Sequence, residues 1–311
     1  MTLRMTGKHF ISIHDFSPEE VQFVFDTTKL LKVEERMGIR RPILKDKTLG
    51  MIFQKSSTRT RVSFEIGMNQ MGGKAIFLSA NDIQLNRGET IADTARVLSR
   101  YLDGIMARVF GHDLITDLAK YSSVPVINGL SDFLHPCQAM ADFYTMLEKS
   151  GKLSGVKLVY IGDSNNVSNS LMMASAKTGV HMTICSPSGY EPKPEIMKWY
   201  MEDSKETGST FRFTQDPADA VKDADFIYTD VWASMGQEAE TEKRRQIFKN
   251  YQVNGDLLKK APKHTLVLHC LPAHRGDEIT DEVMDGPQAI VFDEAENRLH
   301  AQKAIMALTM S

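Results

Sequence analysis

The sequence has few cysteines, no long apolar run and no marked excess of charge of either sign. Its three cysteines, Cys137, Cys185 and Cys270, are odd in number and widely spaced, so they predict neither a disulfide framework nor a paired zinc site. This usage fits a reducing cytoplasm, and we expect no metal and no cofactor. The sequence has no run of about 18 apolar residues and no apolar signal segment. We therefore expect a cytoplasmic protein that does not interact with a membrane.

The charges are almost balanced. The chain has 37 Lys and Arg residues against 40 Asp and Glu residues, a formal net charge of -3, and it has no basic arm or stripe. Nucleic acid is therefore not expected as a partner. Because the overall field would not gather an anionic ligand, a few well-placed cations in a pocket would have to hold one.

Short apolar runs alternate with amphipathic stretches along most of the 311 residues. This alternation predicts parallel sheets covered by helices on both faces, which is a doubly wound α/β fold. The predicted strands are Leu49–Phe53, Ala75–Leu78, Ile105–Phe110, Val124–Ile127, Leu158–Ile161, Met182–Cys185, Phe226–Tyr228, Leu266–His269 and Ile290–Phe292.

The length predicts two domains, and no Gly/Ser linker separates them. We expect a helix from Pro136 to Gly151 to join them, because it presents apolar residues on one side and ends at a glycine. The first domain is expected at 1–134 and the second at 135–292. A closing helix within 293–311 is expected to return and pack on the first domain.

A hydroxyl-rich turn with two arginines follows the first predicted strand and precedes a helix, at Lys55 to Arg61. Free backbone N–H groups and the helix dipole at such a turn attract phosphate, and hydroxyl and guanidinium groups add hydrogen bonds. The alternative is an ordinary helix cap with solvated arginines, which would be preferred for Ser57 alone. Three hydroxyls and two arginines within five residues favour phosphate binding.

The string Ser-Thr-Arg-Thr-Arg, followed by Ser-Phe-Glu, resembles the carbamoyl phosphate signature of the aspartate and ornithine carbamoyltransferases. The resemblance implies that Ser57, Thr58, Arg59 and Thr60 cradle the phosphate. It also implies that 1–134 with 293–311 form a carbamoyl phosphate-binding domain and that 135–292 form the domain for the acceptor, expected to be ornithine.

Further blocks agree with the resemblance in order and spacing. His135-Pro136-Cys137-Gln138 resembles the His-Pro-x-Gln block of the family, in which the histidine faces the carbamoyl oxygen and the glutamine the amide nitrogen. Arg108 ends a predicted strand, where ligand contacts are usual in doubly wound sheets. A carbonyl that becomes an oxyanion needs preorganised donors such as Arg108, His135 and Thr60. Taken alone, these side chains would be interpreted as surface or structural residues.

Two blocks of the second domain resemble the ornithine enzymes more than the aspartate enzymes. Gly162 to Asn166 follows a predicted strand, and the resemblance gives Asn166 a role at the amino acid head group; a tight turn is the alternative. Thr229 to Gly236 resembles a mobile Ser-Met-Gly loop. In that loop Asp230 would hold the α-ammonium group, with Ser234 and Met235 beside it.

His269-Cys270-Leu271-Pro272 ends another predicted strand. Cys270 could be a nucleophile, a zinc ligand or a neighbour of the substrate. The resemblance favours the third role, with the carbonyl groups of Cys270 and Leu271 bonding the carbamoyl NH2. It also assigns Arg298 to the carbamoyl carbonyl or the phosphate, and Gln84 to the phosphate site of a neighbouring subunit.

The resemblance covers nearly the whole chain and implies a homotrimer or an assembly of trimers. The substrates would be carbamoyl phosphate and L-ornithine, whose neutral side-chain amine attacks directly, in a reaction expected to serve arginine biosynthesis. Arg59, Arg108, His135 and Cys270 are the expected catalytic residues. The proton acceptor stays open among Cys270, Asp230, phosphate and simple selection of the neutral amine.

Five other functions are disfavoured by the sequence. Aspartate enzymes typically have His-Pro-Leu-Pro where this chain has His-Cys-Leu-Pro, and enzymes for acylated ornithine usually differ at that same block. Putrescine enzymes lack the Ser-Met-Gly loop, which this chain keeps. A regulatory protein that binds carbamoyl phosphate without turnover is disfavoured by the intact blocks. A dinucleotide-binding dehydrogenase is disfavoured because the Gly162 turn is not Gly-x-Gly-x-x-Gly.

Overall fold

The computed structural model describes residues 4–83, 88–233 and 238–311. The chain divides into two compact units, one formed by Met1–Tyr144 with Asn297–Ser311 and the other by Thr145–Glu296. Each unit is built around its own parallel sheet. The doubly wound α/β fold predicted from the sequence is therefore confirmed, whereas the predicted domain boundaries at 134/135 and 292/293 stay a prediction.

The first unit has a four-stranded sheet in the order β2-β1-β3-β4, and all its pairs are parallel. Its strands are β1 (Thr48–Phe53), β2 (Lys74–Ser79), β3 (Gly104–Arg108) and β4 (Val126–Leu130). Its helices are α1 (Pro18–Arg36), α2 (Thr58–Gln70), α3 (Ile91–Leu98) and α4 (His112–Tyr121), and helix α5 (Pro136–Ser150) runs on into the second unit. The α1 helix starts at Ser17 with the capping box that Ser-Pro-Glu-Glu predicts.

The second unit has a five-stranded parallel sheet in the order β7-β6-β5-β8-β9. The strands are β5 (Lys157–Ile161), β6 (His181–Cys185), β7 (Phe211–Thr214), β8 (Phe226–Thr229) and β9 (Leu266–His269). The helices are α6 (Asn166–Thr178), α7 (Pro194–Thr207), α8 (Pro217–Ala220), α9 (Thr241–Phe248), α10 (Gly255–Leu258), α11 (Asp281–Met284) and the start of α12 (Val291–Met310).

One strand was not predicted from the sequence, and one predicted strand was wrong. The strand β7 was not predicted, because its segment Phe-Arg-Phe-Thr alternates polar and apolar residues and is only partly buried at the sheet edge. The predicted strand Ile290–Phe292 instead leads into α12, and only Ala289 forms an isolated bridge, to Val267. A three-residue apolar run does not distinguish a strand from the first turn of a buried helix.

The C-terminal part of α12 packs on the first unit, as predicted. A Cβ atom at Gly67 of α2 would lie 2.8 Å from Met306 Cε, so glycine allows the two helices to approach closely. The buried Lys303 ammonium donates to Gln70 and Glu35. No helix among the described residues has the length and apolar character that crossing a membrane requires.

Candidate active site

Each sheet has one point where the strand order reverses direction, and such points form crevices at the carboxyl ends of the strands. In the first unit the reversal lies between β1 and β3, and in the second between β5 and β8. The candidate residues follow these strands in both units. The fold thus provides two candidate binding positions, one in each unit.

In the first unit, the turn after β1 begins the α2 helix. Ser57 is the N-cap of α2, and its hydroxyl accepts from the backbone N–H of Thr60 at 3.3 Å. The N–H groups of the first turn of a helix have no partner within the helix and face outward with the positive end of the helix dipole. Thr58, Arg59 and Thr60 lie in that first turn, where an anion would be stabilised.

Side chains from three other segments converge on this turn. Arg108, at the end of β3, donates to Thr60 Oγ1 at 3.5 Å, and Arg298 of α12 donates to the same oxygen at 3.3 Å. Arg298 also donates to Gln138 Oε1 of α5 at 2.5 Å. We call Thr60, Arg108, Gln138 and Arg298 the Thr60 cluster. Its two guanidinium groups meet at a helix N-terminus, which is an arrangement suited to phosphate.

The orientation of the Gln138 amide in this cluster is fixed. Its Nε2 donates to Asp142 Oδ1 at 2.7 Å, so its Oε1 is turned toward Arg298. A carbonyl oxygen has two lone pairs. Gln138 Oε1 is therefore one of the acceptors of this cluster.

Arg298 itself is held by Gln302, a residue that the sequence reasoning missed. In the amide orientation that matches donors to acceptors, Gln302 Oε1 accepts from Arg298 Nη2 at 2.8 Å and from Nε at 3.2 Å. The Gln302 Nε2 then donates to Ser63 Oγ, which donates to the Arg59 carbonyl at 2.6 Å. Gln302 lies one helical turn after Arg298, which is the only sequence signal for this role.

His135 is the buried histidine just before α5. Burial lowers its pKa well below the usual value, and the positive charges of Arg298, Arg108 and Arg59 lower it further. The imidazole is therefore neutral near pH 7. The effect of the three arginines on His135 also shows that this part of the first unit has a positive electrostatic field, as an anion site requires.

In the second unit, side chains from the ends of three neighbouring strands meet at Asp230. Asn165, in the turn after β5, donates its amide to Asp230 Oδ2 at 2.7 Å. Cys270, directly after β9, donates its thiol to Asp230 Oδ1 at 3.0 Å, and the Val231 N–H donates to the same oxygen at 2.8 Å. We call Asn165, Asp230 and Cys270 the Asp230 cluster. Its centre is a buried carboxylate.

The Asp230 cluster has a negative field. Burial raises the pKa of the Tyr160 hydroxyl well above its usual value, and the carboxylates of Asp230 and Asp163 raise it further. Asp163 is itself paired with Arg244, whose Nη1 lies 2.6 Å from Asp163 Oδ2. Asp230 lacks such a cationic side chain among the residues that the structure describes. A ligand ammonium group would supply the missing positive charge.

Asp230, His269 and Cys270 also place three potential metal ligands within 4.8 Å of one another. Both ring nitrogens of His269 have partners, however: Nε2 lies 3.0 Å from Glu278 Oε1, and Nδ1 accepts from the Leu271 N–H at 2.9 Å. A metal ion would have to displace one of these bonds. The expectation of no metal therefore stays a prediction.

The other two cysteines are buried, and burial raises the pKa of both thiols to about 12. Cys137 donates its thiol to the Asn128 carbonyl at 3.3 Å. A thiol of this kind is protonated near pH 7 and is a poor nucleophile. Of the three cysteines, Cys270 is the one that is partly exposed and next to a carboxylate.

The structure brings together many of the residues that the sequence singled out, and Asn165 joins them. Asn165 caps α6 and contacts Asp230, whereas the predicted Asn166 is the first residue of that helix and is buried. The predicted residues Gln84, Ser234 and Met235 lie outside the described residues.

Two family models match the chain. The model described as the carbamoyl-P binding domain of aspartate/ornithine carbamoyltransferase matches residues 8–148. The model described as the Asp/Orn binding domain of the same family matches residues 154–309. The first range contains Ser57 to Thr60, and the second contains Asp230 and Cys270.

Individual relatives are similar over the full length. An ornithine carbamoyltransferase of Thermococcus kodakarensis is 57% identical over 310 residues, which cover 100% of this chain and 98% of the relative. An anabolic ornithine carbamoyltransferase of Pyrococcus furiosus is 56% identical with the same coverage. The solved structure of ornithine carbamoyltransferase from Pyrococcus furiosus superposes with a TM-score of 0.96 at 56% identity and covers 99% of each chain.

Proposed function

The chain belongs to the aspartate/ornithine carbamoyltransferase family, and we propose that it transfers the carbamoyl group of carbamoyl phosphate to L-ornithine, giving L-citrulline and phosphate. The convergence of Arg108 and Arg298 on Thr60, at the start of α2, is the observation that carries the carbamoyl phosphate half. The acceptor follows from relatives at 56% to 57% identity that are ornithine carbamoyltransferases. The anabolic relative supports a role in arginine biosynthesis.

Carbamoyl phosphate would bind at the start of α2. Ser57, Thr58, Arg59 and Thr60 would hold the phosphate through hydroxyl, backbone N–H and guanidinium donors. The first-turn position of these residues and the positive field around His135 support this placement. Arg298 would add a further cation at the carbamoyl carbonyl or the phosphate.

The carbamoyl carbonyl would be polarised by Arg108, His135 and Thr60. When the amine attacks, the carbonyl oxygen gains negative charge, and donors already in position stabilise it without reorganising. Because His135 is neutral, it would act as an N–H donor to this oxygen. Gln138 would accept from the carbamoyl NH2 through Oε1, the oxygen that also accepts from Arg298.

The amino acid acceptor would bind through Asp230 in the second unit. The described donors occupy two positions on Asp230 Oδ1 and one on Oδ2, so Oδ2 keeps one lone pair for an α-ammonium group. The family resemblance adds Asn166, Ser234 and Met235 as further contacts of ornithine. It also places Cys270 next to the attacking amine and adds Leu271 as a carbonyl ligand of the carbamoyl NH2.

The reaction itself is a direct displacement. A free alkylammonium group has a pKa of about 10.4 and no lone pair, so the side chain of ornithine must lose a proton before it attacks. The new N–C bond then forms, the bond from the carbamoyl carbon to the phosphate oxygen breaks, and phosphate leaves with the electron pair. Carbamoyl phosphate would bind first. Most of the acceleration would come from positioning and electrostatic stabilisation.

We propose a homotrimer, or an assembly of trimers, in which Gln84 of one subunit completes the phosphate site of its neighbour. A test is to mix Arg59→Gln subunits with Gln84→Ala subunits after partial dissociation. If neighbouring subunits share a site, mixed trimers contain some sites with both native residues, and activity reappears. Mixtures that form mixed trimers but stay inactive would contradict shared sites.

The acceptor is tested by assaying carbamoyl phosphate in parallel with ornithine, aspartate, putrescine and acetylornithine. We expect citrulline from ornithine and little product from the other three. Preferred turnover of aspartate would overturn the acceptor assignment. Binding of carbamoyl phosphate without any turnover would instead support the non-catalytic regulatory alternative.

The phosphate site is tested with a matched pair of arginine variants. Arg59→Gln should abolish activity without unfolding the chain, whereas Arg61→Gln should keep most activity. The difference is expected because Arg61 is bound to Glu65 at 3.2 Å and stacks on Phe77 at 4.1 Å. An active Arg59→Gln variant would contradict the role of Arg59.

A further inference from the structure

A fully buried histidine and carboxylate adjoin the Asp230 cluster. The His269 and Glu278 side chains have no exposed surface, and His269 Nε2 lies 3.0 Å from Glu278 Oε1. A buried carboxylate is costly unless hydrogen bonds compensate it. The bond to His269 is one such compensating contact, and neither residue has a role in the proposed chemistry.

The hydrogen bonds fix the tautomer of His269. Its Nδ1 accepts from the backbone N–H of Leu271 at 2.9 Å, so Nδ1 has no proton. The proton of the neutral ring is therefore on Nε2, and it is donated to Glu278. Glu278 thus selects the ring form that can hold the Leu271 backbone.

The backbone held in this way is strained. Leu271 has a φ of 57°, in the left-handed region that residues with a side chain rarely adopt. Such a conformation is unfavourable and persists only where surrounding contacts impose it. The bond to His269 Nδ1 is one such contact, and Glu278 provides another by accepting from the His274 N–H at 2.6 Å.

The held peptide adjoins a candidate substrate contact. Cys270 lies between His269 and Leu271, and its thiol donates to Asp230 Oδ1. The backbone N–H of His269 is fixed as well, by Glu294 Oε2 at 2.8 Å. The segment from His269 to Leu271 is thus held at the His269 ring, at the His269 backbone and at the Cys270 thiol.

We propose that His269 and Glu278 are positioning residues that fix the Cys270–Leu271 peptide for the carbamoyl amide of the substrate. The inference rests on the proposed function, in which the carbonyl groups of Cys270 and Leu271 accept from the carbamoyl NH2. If the pair is loosened, these carbonyl groups move away from the reacting amide. The phosphate contacts in the first unit do not change.

Three variants separate positioning from stability. Glu278→Gln keeps an oxygen that can accept from His269 Nε2 and the His274 N–H, whereas Glu278→Leu removes it. Asp203→Asn is the matched control. It weakens the buried Lys177–Asp203 pair of the same unit, which is far in sequence from the segment His269 to Leu271. All three are expected to lower the melting temperature to some extent.

We expect Glu278→Leu to lower kcat for ornithine about 100-fold, the loss that a misplacement of about 1 Å can cause. Glu278→Gln should restore most of this loss, and Asp203→Asn should keep the wild-type kcat. The affinity for inorganic phosphate, measured by calorimetry, should be the same in all variants. A folded Glu278→Leu variant with wild-type kcat would overturn the proposal.

Nitrogen NMR of the His269 ring gives a readout that does not depend on activity. The wild type should show a neutral ring with its proton on Nε2, and amide exchange at Leu271 should be faster in Glu278→Leu than in Asp203→Asn. A proton on Nδ1 in the wild type would overturn the proposal. Failure of the wild type to convert ornithine would instead refute the proposed function. Because the NMR readout does not depend on turnover, it distinguishes this failure from a failure of the positioning proposal.

Discussion

The two units place their candidate residues in the same way but give them opposite charge. In both, the residues follow strands at the point where the order of a parallel sheet reverses. In the first unit, burial lowers the pKa of His135 and nearby arginines lower it further. In the second, burial raises the pKa of Tyr160 and nearby carboxylates raise it further. The fold therefore places the candidate residues at the same point of each sheet, and a few side chains determine whether their surroundings favour an anion or a cation.

The two clusters also differ in how far apart their residues lie in the sequence. The Asp230 cluster comes from the ends of neighbouring strands β5, β8 and β9. The Thr60 cluster needs α12 as well, because Arg298 is more than two hundred residues from Thr60 in sequence. We therefore expect the first cluster to depend on the docking of a C-terminal helix and the second to depend mainly on its own sheet.

The largest effect is expected for Arg298→Gln. Removing one preorganised donor from an oxyanion site typically costs about 10²- to 10³-fold in kcat. The affinity for inorganic phosphate should also fall, whereas the KM for ornithine should change little. Steady-state kinetics and calorimetry give both values. If Arg298→Gln raised only the KM for ornithine, the division of roles between the two clusters would be wrong.

Asp230→Asn tests the second cluster in the same way. A hydrogen bond to a charged partner contributes about 1.5–3 kcal/mol, so the KM for ornithine should rise about 10- to 150-fold. Phosphate affinity should be unchanged, because Asp230 belongs to the other unit. Loss of phosphate binding with an unchanged KM for ornithine would reverse the proposed assignment.

His135→Gln tests the lowered pKa of His135 through the dependence of stability on pH. Burial and the nearby arginines lower the pKa of His135 in the folded chain, whereas the unfolded chain keeps a value of about 6.5. Below that value the unfolded chain binds the extra proton, so the free energy of unfolding falls as the pH falls, by up to about 1.4 kcal/mol per unit. His135→Gln should reduce this slope in urea titrations between about pH 7.5 and pH 5.5. Equal slopes in variant and wild type would contradict the assignment.

Gln302→Leu should have the smallest effect, because it removes the support of Arg298 and leaves the guanidinium group in place. A loss equivalent to one hydrogen bond, worth about 0.5–1.5 kcal/mol, predicts a fall in kcat of about three- to tenfold. Lys303→Met is the matched control: it loosens the same helix from Glu35 and Gln70 and should lower the melting temperature without lowering kcat. Equal kcat losses in both variants would indicate a general effect of helix docking.

Most of the fold could be predicted from local signals. The alternation of apolar runs and helical stretches predicted two doubly wound sheets, and capping residues such as Ser17 marked where helices begin. The strand β7 was not predicted because an edge strand is not uniformly apolar. The start of α12 predicts a strand from sequence because its three-residue apolar run is too short to show a helical period.

The site was predictable where residues lie close together in sequence and less so where the fold brings them together. The phosphate turn could be predicted from its own seven residues, but the role of Arg298 could be predicted only through the family resemblance. Gln302 was missed because its role appears only when α12 lies against Ser63. Asn165 was missed because either asparagine of the turn could have faced Asp230, and helix capping decides which one does.

The most direct test of the account is a competition for labelled carbamoyl phosphate between ornithine and aspartate at equal concentration. Product analysis shows which amine receives the carbamoyl group when both compete for one site. We expect the label to appear in citrulline, and we expect Asp230→Asn to remove this preference. Label appearing mainly in carbamoyl aspartate would contradict it.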